Sequence, residues 1–267
     1  MKRLTAYLAA LVLGAMPIAA QEAEDDGPGF LERLIEDNLS TPGQVVRVRG
    51  FEGALSSEAR LGELTIADDR GVWLTLRDAE LDWTRSALLR GRLEVDRLRA
   101  ETLIVERLPD TPEAAPAELP PAEAQGFSLP ELPVSIRIGE LAIARAEIGA
   151  PILGQAAALS LEGNAQLAGG AGEAMLAIER VDDRQGRIAF EGSYDNADRV
   201  LALDLAVEEE PGGIVAGLLN LPGAPSVSLD LTGDGPLSDF AAEIRLATDG
   251  VDRLTGQVTL RGGAGGE

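Results

Sequence analysis

The 267-residue chain contains no cysteine and no histidine. Without cysteine there is no disulfide, no zinc–thiolate site and no thiol nucleophile. Without histidine the commonest general base and the commonest metal ligand are missing. Catalysis would have to rest on carboxylates, Arg, Tyr or Ser, so the chain reads as a non-enzyme without a metal or cofactor. Aromatic residues are scarce at 3%, with two Trp and two Tyr. Leu, Ile, Val and Ala must therefore build the core from many small strands. Basic residues are also few, 23 against 45 acidic ones, for a formal charge of −22. That balance repels a phosphate backbone, no basic stripe offsets it, and nucleic acid is excluded as a partner.

The one long apolar run is at the start. Lys2 and Arg3 precede Leu4–Ala20, and Ile18-Ala19-Ala20 offers small residues for cleavage before Gln21. Residues 1–20 read as a signal peptide or an N-terminal membrane anchor, with Pro17 and the short length favouring cleavage. Residues 28–40 place Phe30, Leu31, Leu34, Ile35 and Leu39 on one helical face. This amphipathic helix would plug the end of a sheet; its acidic polar face (Glu32, Glu36, Asp37) argues against a membrane-surface role.

Two β segments follow, 44–108 and 134–267, in which apolar residues stand two apart and so project to one face of a strand. In the first the doublets are Val46/Val48, Leu64/Ile66, Leu74/Leu76, Leu81/Trp83 and Leu93/Val95. The second has Ile136/Ile138, Leu141/Ile143, Leu159/Leu161, Leu176/Ile178, Ile188/Phe190 and Leu201/Leu203. It continues with Leu205/Val207, Val227/Leu229, Leu231, Ile244/Leu246 and Val258/Leu260. Turn chemistry is read at Asp68–Gly71, Arg90-Gly91, Gly163-Asn164, Gly169-Gly170, Asp182-Asp183, Asp195-Asn196, Gly233–Gly235 and Thr248–Gly250. Thr84–Gly91 reads as a helical turn with Thr84 as N-cap, and Pro211–Gly223, with Ile214, Val215, Leu218 and Leu219 at helical spacing, as a small helix packed across the sheet or a lid over an apolar passenger. Residues 109–133, dense in Pro, Ala and Glu, read as an extended solvated linker or insertion.

Regular short strands suggest a sandwich or barrel. Two features favour an open stack instead. Arg60-Leu-Gly-Glu-Leu-Thr-Ile-Ala67 recurs as Arg137-Ile-Gly-Glu-Leu-Ala-Ile-Ala144, with a looser echo at Gly91–Ala100, as stacking of like units predicts. The run Leu260–Glu267 then follows a strand directly, which predicts a longer parent chain. The expected fold is mainly β: an elongated curled antiparallel sheet with an open hydrophobic groove, one N-terminal amphipathic helix and a few short helices. About fifteen strands would span on the order of 70 Å.

Several stretches resemble one family. They are Gly50-Phe-Glu-Gly53, Leu64–Leu74, Leu81-Asp-Trp83 with Ser86–Leu89, Arg107-Leu-Pro109, Glu210–Ile214, Leu221–Pro225 and Gly235–Phe240. Together they resemble the N-terminal part of the TamB family, alphaproteobacterial type, within the AsmA-like superfamily. The resemblance implies an inner-membrane-anchored, periplasmic β-groove of U-shaped cross-section that carries phospholipids between the inner and outer membranes. It also implies a role in outer-membrane protein translocation and assembly with an Omp85-type partner. The family region that meets that partner has no matching residues in this sequence.

On this reading the groove lining is Val46, Val48, Leu64, Ile66, Leu74, Leu76, Leu93, Val95, Ile136, Ile138, Leu159, Leu161, Leu176, Ile178, Ile188, Phe190, Leu201, Leu203, Leu205, Val227, Leu229, Leu231, Ile244, Leu246, Val258 and Leu260, with phospholipid acyl chains as the partner. A structural or adhesive β-repeat with a closed core is the alternative. A third reading makes Asp68/Asp69, Asp182/Asp183 or Asp234 a calcium site or glycosidase pair, but each sits in an expected turn, where Asp is favoured for backbone reasons.

Overall fold

The computed structural model describes residues 36, 40, 43–53, 56–109, 128–130, 132 and 134–261. Residues 1–20, most of the helix expected at 28–40, and 110–127 of the linker lie outside them. No described helix is long and apolar enough to cross a membrane.

The described chain is one 12-stranded sheet in which sequence order is spatial order, not the roughly fifteen strands expected. The strands are β1 (Val45–Glu52), β2 (Glu58–Asp68), β3 (Gly71–Trp83), β4 (Arg92–Val105), β5 (Ser135–Ile148) and β6 (Ala157–Ala168). There follow β7 (Ala171–Arg180), β8 (Gly186–Asp195), β9 (Val200–Glu209), β10 (Val227–Pro236), β11 (Asp239–Thr248) and β12 (Val251–Arg261). Three short helices interrupt them: α1 (Arg85–Leu88), α2 (Ala150–Leu153) and α3 (Ile214–Leu218). The sheet does not close, since β1 and β12 are its two edges.

One pair departs from the expected antiparallel pattern. β4 and β5 run parallel, with Arg92 beside Ser135 and Val105 beside Ile148. A 14-residue strand is roughly 46 Å long, so the connection must return that distance before β5 begins. The linker therefore joins neighbours within one sheet rather than two units. Its described end also packs: Leu129 exchanges two 2.8 Å hydrogen bonds with the Asn196 side chain, and Leu132 lies on the cluster of Leu93, Val95 and Ile136.

The two halves of the sheet are built differently. In β6–β11 the large apolar residues fall mainly at every second position, and β12 carries one register shift against β11. In β4 the apolar residues come as Leu93/Val95, Leu98/Ala100 and Leu103/Val105, spaced by two and then three residues, and β5 matches them with Ile136/Ile138, Leu141/Ile143 and Ala146/Ile148. Each three-residue step puts two successive residues on the polar face and breaks the pleat. The breaks line up from strand to strand at Gly50, Gly62, Asp78, Glu101 and Ala144, with Gly50 (φ 65°) and Asp78 (φ 49°) in the left-handed region. Against the regular β6 they become two register shifts, between Ile138/Leu141 and Ile143/Ala146, the signature of bulges that bend a strand.

Two expected turns are strand interior. Gly163-Asn164 lies in β6, where a Cβ on Gly163 would stand 2.3 Å from the Met175 carbonyl oxygen. Gly233–Gly235 lies in β10, where a Cβ on Gly233 would meet the Ala241 carbonyl at 2.6 Å. Glycine at 163 and 233 therefore serves close strand approach rather than chain reversal. The turns at Asp68–Gly71, Gly169-Gly170, Asp182-Asp183, Asp195-Asn196 and Thr248–Gly250 do connect strands. Edge strand β1 has backbone donors covered by side chains: Val46 N–H donates to Ser40 Oγ (3.0 Å) and Val48 N–H to Glu36 Oε1 (2.8 Å). Such cover removes part of a sticky edge.

Candidate functional site

Directly opposed residues share a face, so the register shows where each candidate wall residue points. Val46 faces Ile66 and then Leu74, and Val48 faces Leu64 and then Leu76. On the far side Leu161, Ile178, Ile188, Val207, Leu229 and Leu246 form one continuous row that runs on to Leu254. A second row runs Leu176, Phe190, Leu205, Leu231 and Ile244. Leu93, Val95, Ile136, Ile138, Leu159, Leu201, Leu203, Val227 and Val258 take the same side through their own partners. Leu260 pairs through its backbone with Phe240.

Burial differs between the halves. In the kinked half Val46, Val48, Leu64, Ile66 and Trp73 make a closed cluster, each at most 5% exposed. In the regular half Leu161, Leu176, Ile188, Phe190, Leu203, Leu205, Leu229, Leu231, Ile244 and Leu246 are only half-buried. No second sheet covers them among the described residues. The opposite face is polar and laced by cross-strand ion pairs such as Arg77–Glu63, Arg60–Glu80 and Arg187–Glu179. Hydrogen bonds from Arg99 and then Arg97 hold the Glu140 carboxyl below its ordinary value. A depression of about 810 Å³ follows the pleat break, past Asp78 and Glu101, and is lined by Arg60, Glu80, Arg99 and Glu140 together with Leu61 and Ile143.

Several wall residues escaped the sequence-derived set. Phe51, Leu61, Leu98, Leu103, Val105 and Ile148 pack beside the expected doublets, and Tyr194 and Phe240 are buried at one rim. The repeat of five between doublets was the signal for Leu98 and Leu103. Trp73 carries no period at all, because it sits at the bulge where Ile66 pairs with Leu74 and Ala67 with Val72.

At the other rim the apolar wall ends in a polar row. Arg180, Gly186, Glu209, Val227 and Thr248 are neighbours across β7–β11. The Arg180 guanidinium donates Nε to Asp182 Oδ1 (3.0 Å) and Nη2 to Asp182 Oδ2 (2.6 Å). This bond first, helped by the backbone N–H groups of Ala158 and Arg184, brings the Asp182 carboxyl down to about 2 against the opposing cost of burial. Glu209 is 7% exposed and accepts the Ile214 N–H (3.0 Å) and Val215 N–H (2.7 Å) that open α3. Helical spacing suggested Ile214, Val215, Leu218 and Leu219 as the packed face of that helix. Instead Ile214 and Ala216 are buried, while Leu218 and Leu219 are exposed, because five residues make little more than one turn. α2 packs against α3, and Gln155 donates to the Gly212 carbonyl (3.0 Å).

Two carboxylates of the enzyme reading have structural partners. Asp68 binds Arg107 and the Arg70 N–H, Asp182 binds Arg180, and Asp234 stands exposed on the polar face of β10. Among the described residues no three His, Cys, Asp or Glu gather to hold a metal ion. No family model, no curated protein and no solved structure matches this chain.

Proposed function

We propose that the chain is the periplasmic part of a TamB-like protein, in which an apolar β-wall carries phospholipid acyl chains between the inner and outer membranes and supports outer-membrane protein assembly. It works in the cell envelope, reached through residues 1–20. The observation that carries the reading is the half-buried aliphatic face of β6–β12, uncovered by any second sheet among the described residues. Aliphatic side chains offer acyl chains contact without directional bonds. A buried CH₂ costs about 0.8 kcal/mol to expose, so a lipid with some thirty methylenes faces roughly 20 kcal/mol in crossing water. A wall that shields the tails and leaves the headgroup outside removes most of that barrier. The seven strands β6–β12, spaced about 4.8 Å apart, give such a wall roughly 30 Å of length. The process needs no bond-breaking step and so no catalytic group.

The test is lipid extraction from protein purified out of cells in mild detergent, followed by mass spectrometry. Phospholipid at near-stoichiometric amounts with the intact chain, and little with Leu203→Asp, is the expected result. No lipid with either protein would leave a structural β-repeat as the reading.

A further inference from the structure

The apolar side of β6–β12 is aliphatic, aromatic or glycine at nearly every strand position. Within β7–β11, Arg180 and Glu209 are the charged strand residues on it, and both lie in the last row before the rim, where Arg253 of β12 also donates Nε to Thr248 Oγ1 (2.8 Å). A Cβ on the intervening Gly186 would meet Arg180 Cδ at 3.1 Å and Glu209 Cγ at 3.3 Å, so the two side chains pass close over that glycine. The Arg180 side chain is 4% exposed. Asp182 takes its Nε and one Nη2 hydrogen, but Nη1 is buried without a hydrogen-bond partner. A buried guanidinium donor left unmatched is costly, more so than a neutral one such as the indole N–H groups of Trp73 and Trp83, which are also unmatched. Both Glu209 oxygens, by contrast, are engaged by α3.

We infer that Arg180 Nη1 is the anchor for the phosphate oxygen of an amphiphile's headgroup, with the tails lying along the row of Ile178, Ile188 and Val207. This rests on the lipid-carrying reading and adds a polar end to the wall. The pairing with Asp182 matters in two ways. It fixes the guanidinium plane from one side, leaving the Nη1 edge as the donor. It also cancels the charge, so the anchor is a hydrogen bond rather than a net cation. With the Glu209 carboxylate beside it, the row disfavours a net anion and suits a zwitterionic phosphoester, whose ammonium can approach Glu209 while its phosphate takes Arg180. The buried position of Nη1 means that an arriving headgroup opens the site from the groove side.

The test compares three probes on the purified chain by native mass spectrometry: dioleoyl phosphatidylethanolamine, dioleoylglycerol with the same tails but no phosphate, and inorganic phosphate alone. Intact protein should hold the phospholipid about ten-fold or more tightly than the diacylglycerol, the worth of one charge-assisted hydrogen bond. Arg180→Gln should abolish that preference and leave diacylglycerol binding unchanged. Arg180→Met with Asp182→Asn removes the ion pair as a unit, which buried pairs tolerate well, and should give the same loss if the single variant does not fold. Binding of inorganic phosphate alone, lost in the same variants, would support the anchor and assign it to free phosphate rather than a lipid. Equal binding of phospholipid and diacylglycerol by intact protein, or an undiminished preference in the variants, overturns the anchor and leaves the lipid reading standing. Binding of none of the three probes overturns both.

Discussion

Arg107 reaches back 39 residues to grip Asp68: Nη1 donates to Oδ2 at 2.7 Å and Nη2 to Oδ1 at 2.5 Å, while Nη2 also meets the Gly71 carbonyl at 3.0 Å. The two side chains are 13% and 4% exposed. One pair therefore fastens the chain leaving β4 to the β2–β3 turn, at the side of the closed cluster around Trp73. Removing one partner strands a buried charge, so Arg107→Met or Asp68→Ala should cost about 3–5 kcal/mol, and the double variant clearly less than the sum. Chemical denaturation of the four proteins of that cycle measures it.

The same substitution should behave oppositely in the two halves. Val48 is 4% exposed within the closed cluster, and Val48→Asp should unfold the chain or cost at least about 3 kcal/mol. Leu203 and Leu229 are half-buried on the uncovered wall, so Asp there reaches water and should cost about 1–2 kcal/mol while ending lipid carriage. Circular dichroism melts together with lipid content separate these outcomes. Unfolding by all three would mean the wall is sealed.

Asp182 supplies a pH signature. Its folded-state value of about 2 lies below the ordinary 3.8, so its bond to Arg180 adds stability that is fully present above about pH 4 and is lost as pH falls through about 2. The stability gap between the intact chain and Asp182→Asn should be constant at neutral pH, on the order of 1 kcal/mol after allowance for screening, and vanish near pH 2. A gap unchanged down to pH 2 would contradict the pairing.

Much of the wall was legible in the chain itself, because alternation such as Leu176/Ile178 or Leu229/Leu231 leaves a strand one apolar side whatever its neighbours do. The pleat breaks were not legible. Ala100 and Ala146 are small enough to be passed over as spacers, yet they complete the doublets that keep β4 and β5 on one side through two changes of parity. The parallel pairing of those strands was hidden as well, since a Pro-rich stretch reads alike between units or within one. Arg180 escaped because a charged residue ending an alternating run reads as a turn boundary, and only cross-strand register places it beside Gly186 and Glu209.

Glu209 holds α3 by its first two N–H groups. Glu209→Ala should therefore free the helix while sparing the sheet, costing about 1–2 kcal/mol as the loss of a capping acceptor does. Hydrogen exchange should accelerate selectively over residues 214–219 and stay unchanged in β9 and β10. Equal acceleration across those strands would show that the carboxylate supports the sheet instead.

Under the proposed function, hydrocarbon tails touch the aliphatic side of β6–β12. Photo-crosslinking in living cells from probes at Leu161, Leu203 and Leu229, with Glu191 and Asp204 on the polar face as controls, addresses it most directly. Phospholipid adducts are expected at the three leucine positions and none at the two acidic ones. Adducts at neither set, or equally at both, would contradict it.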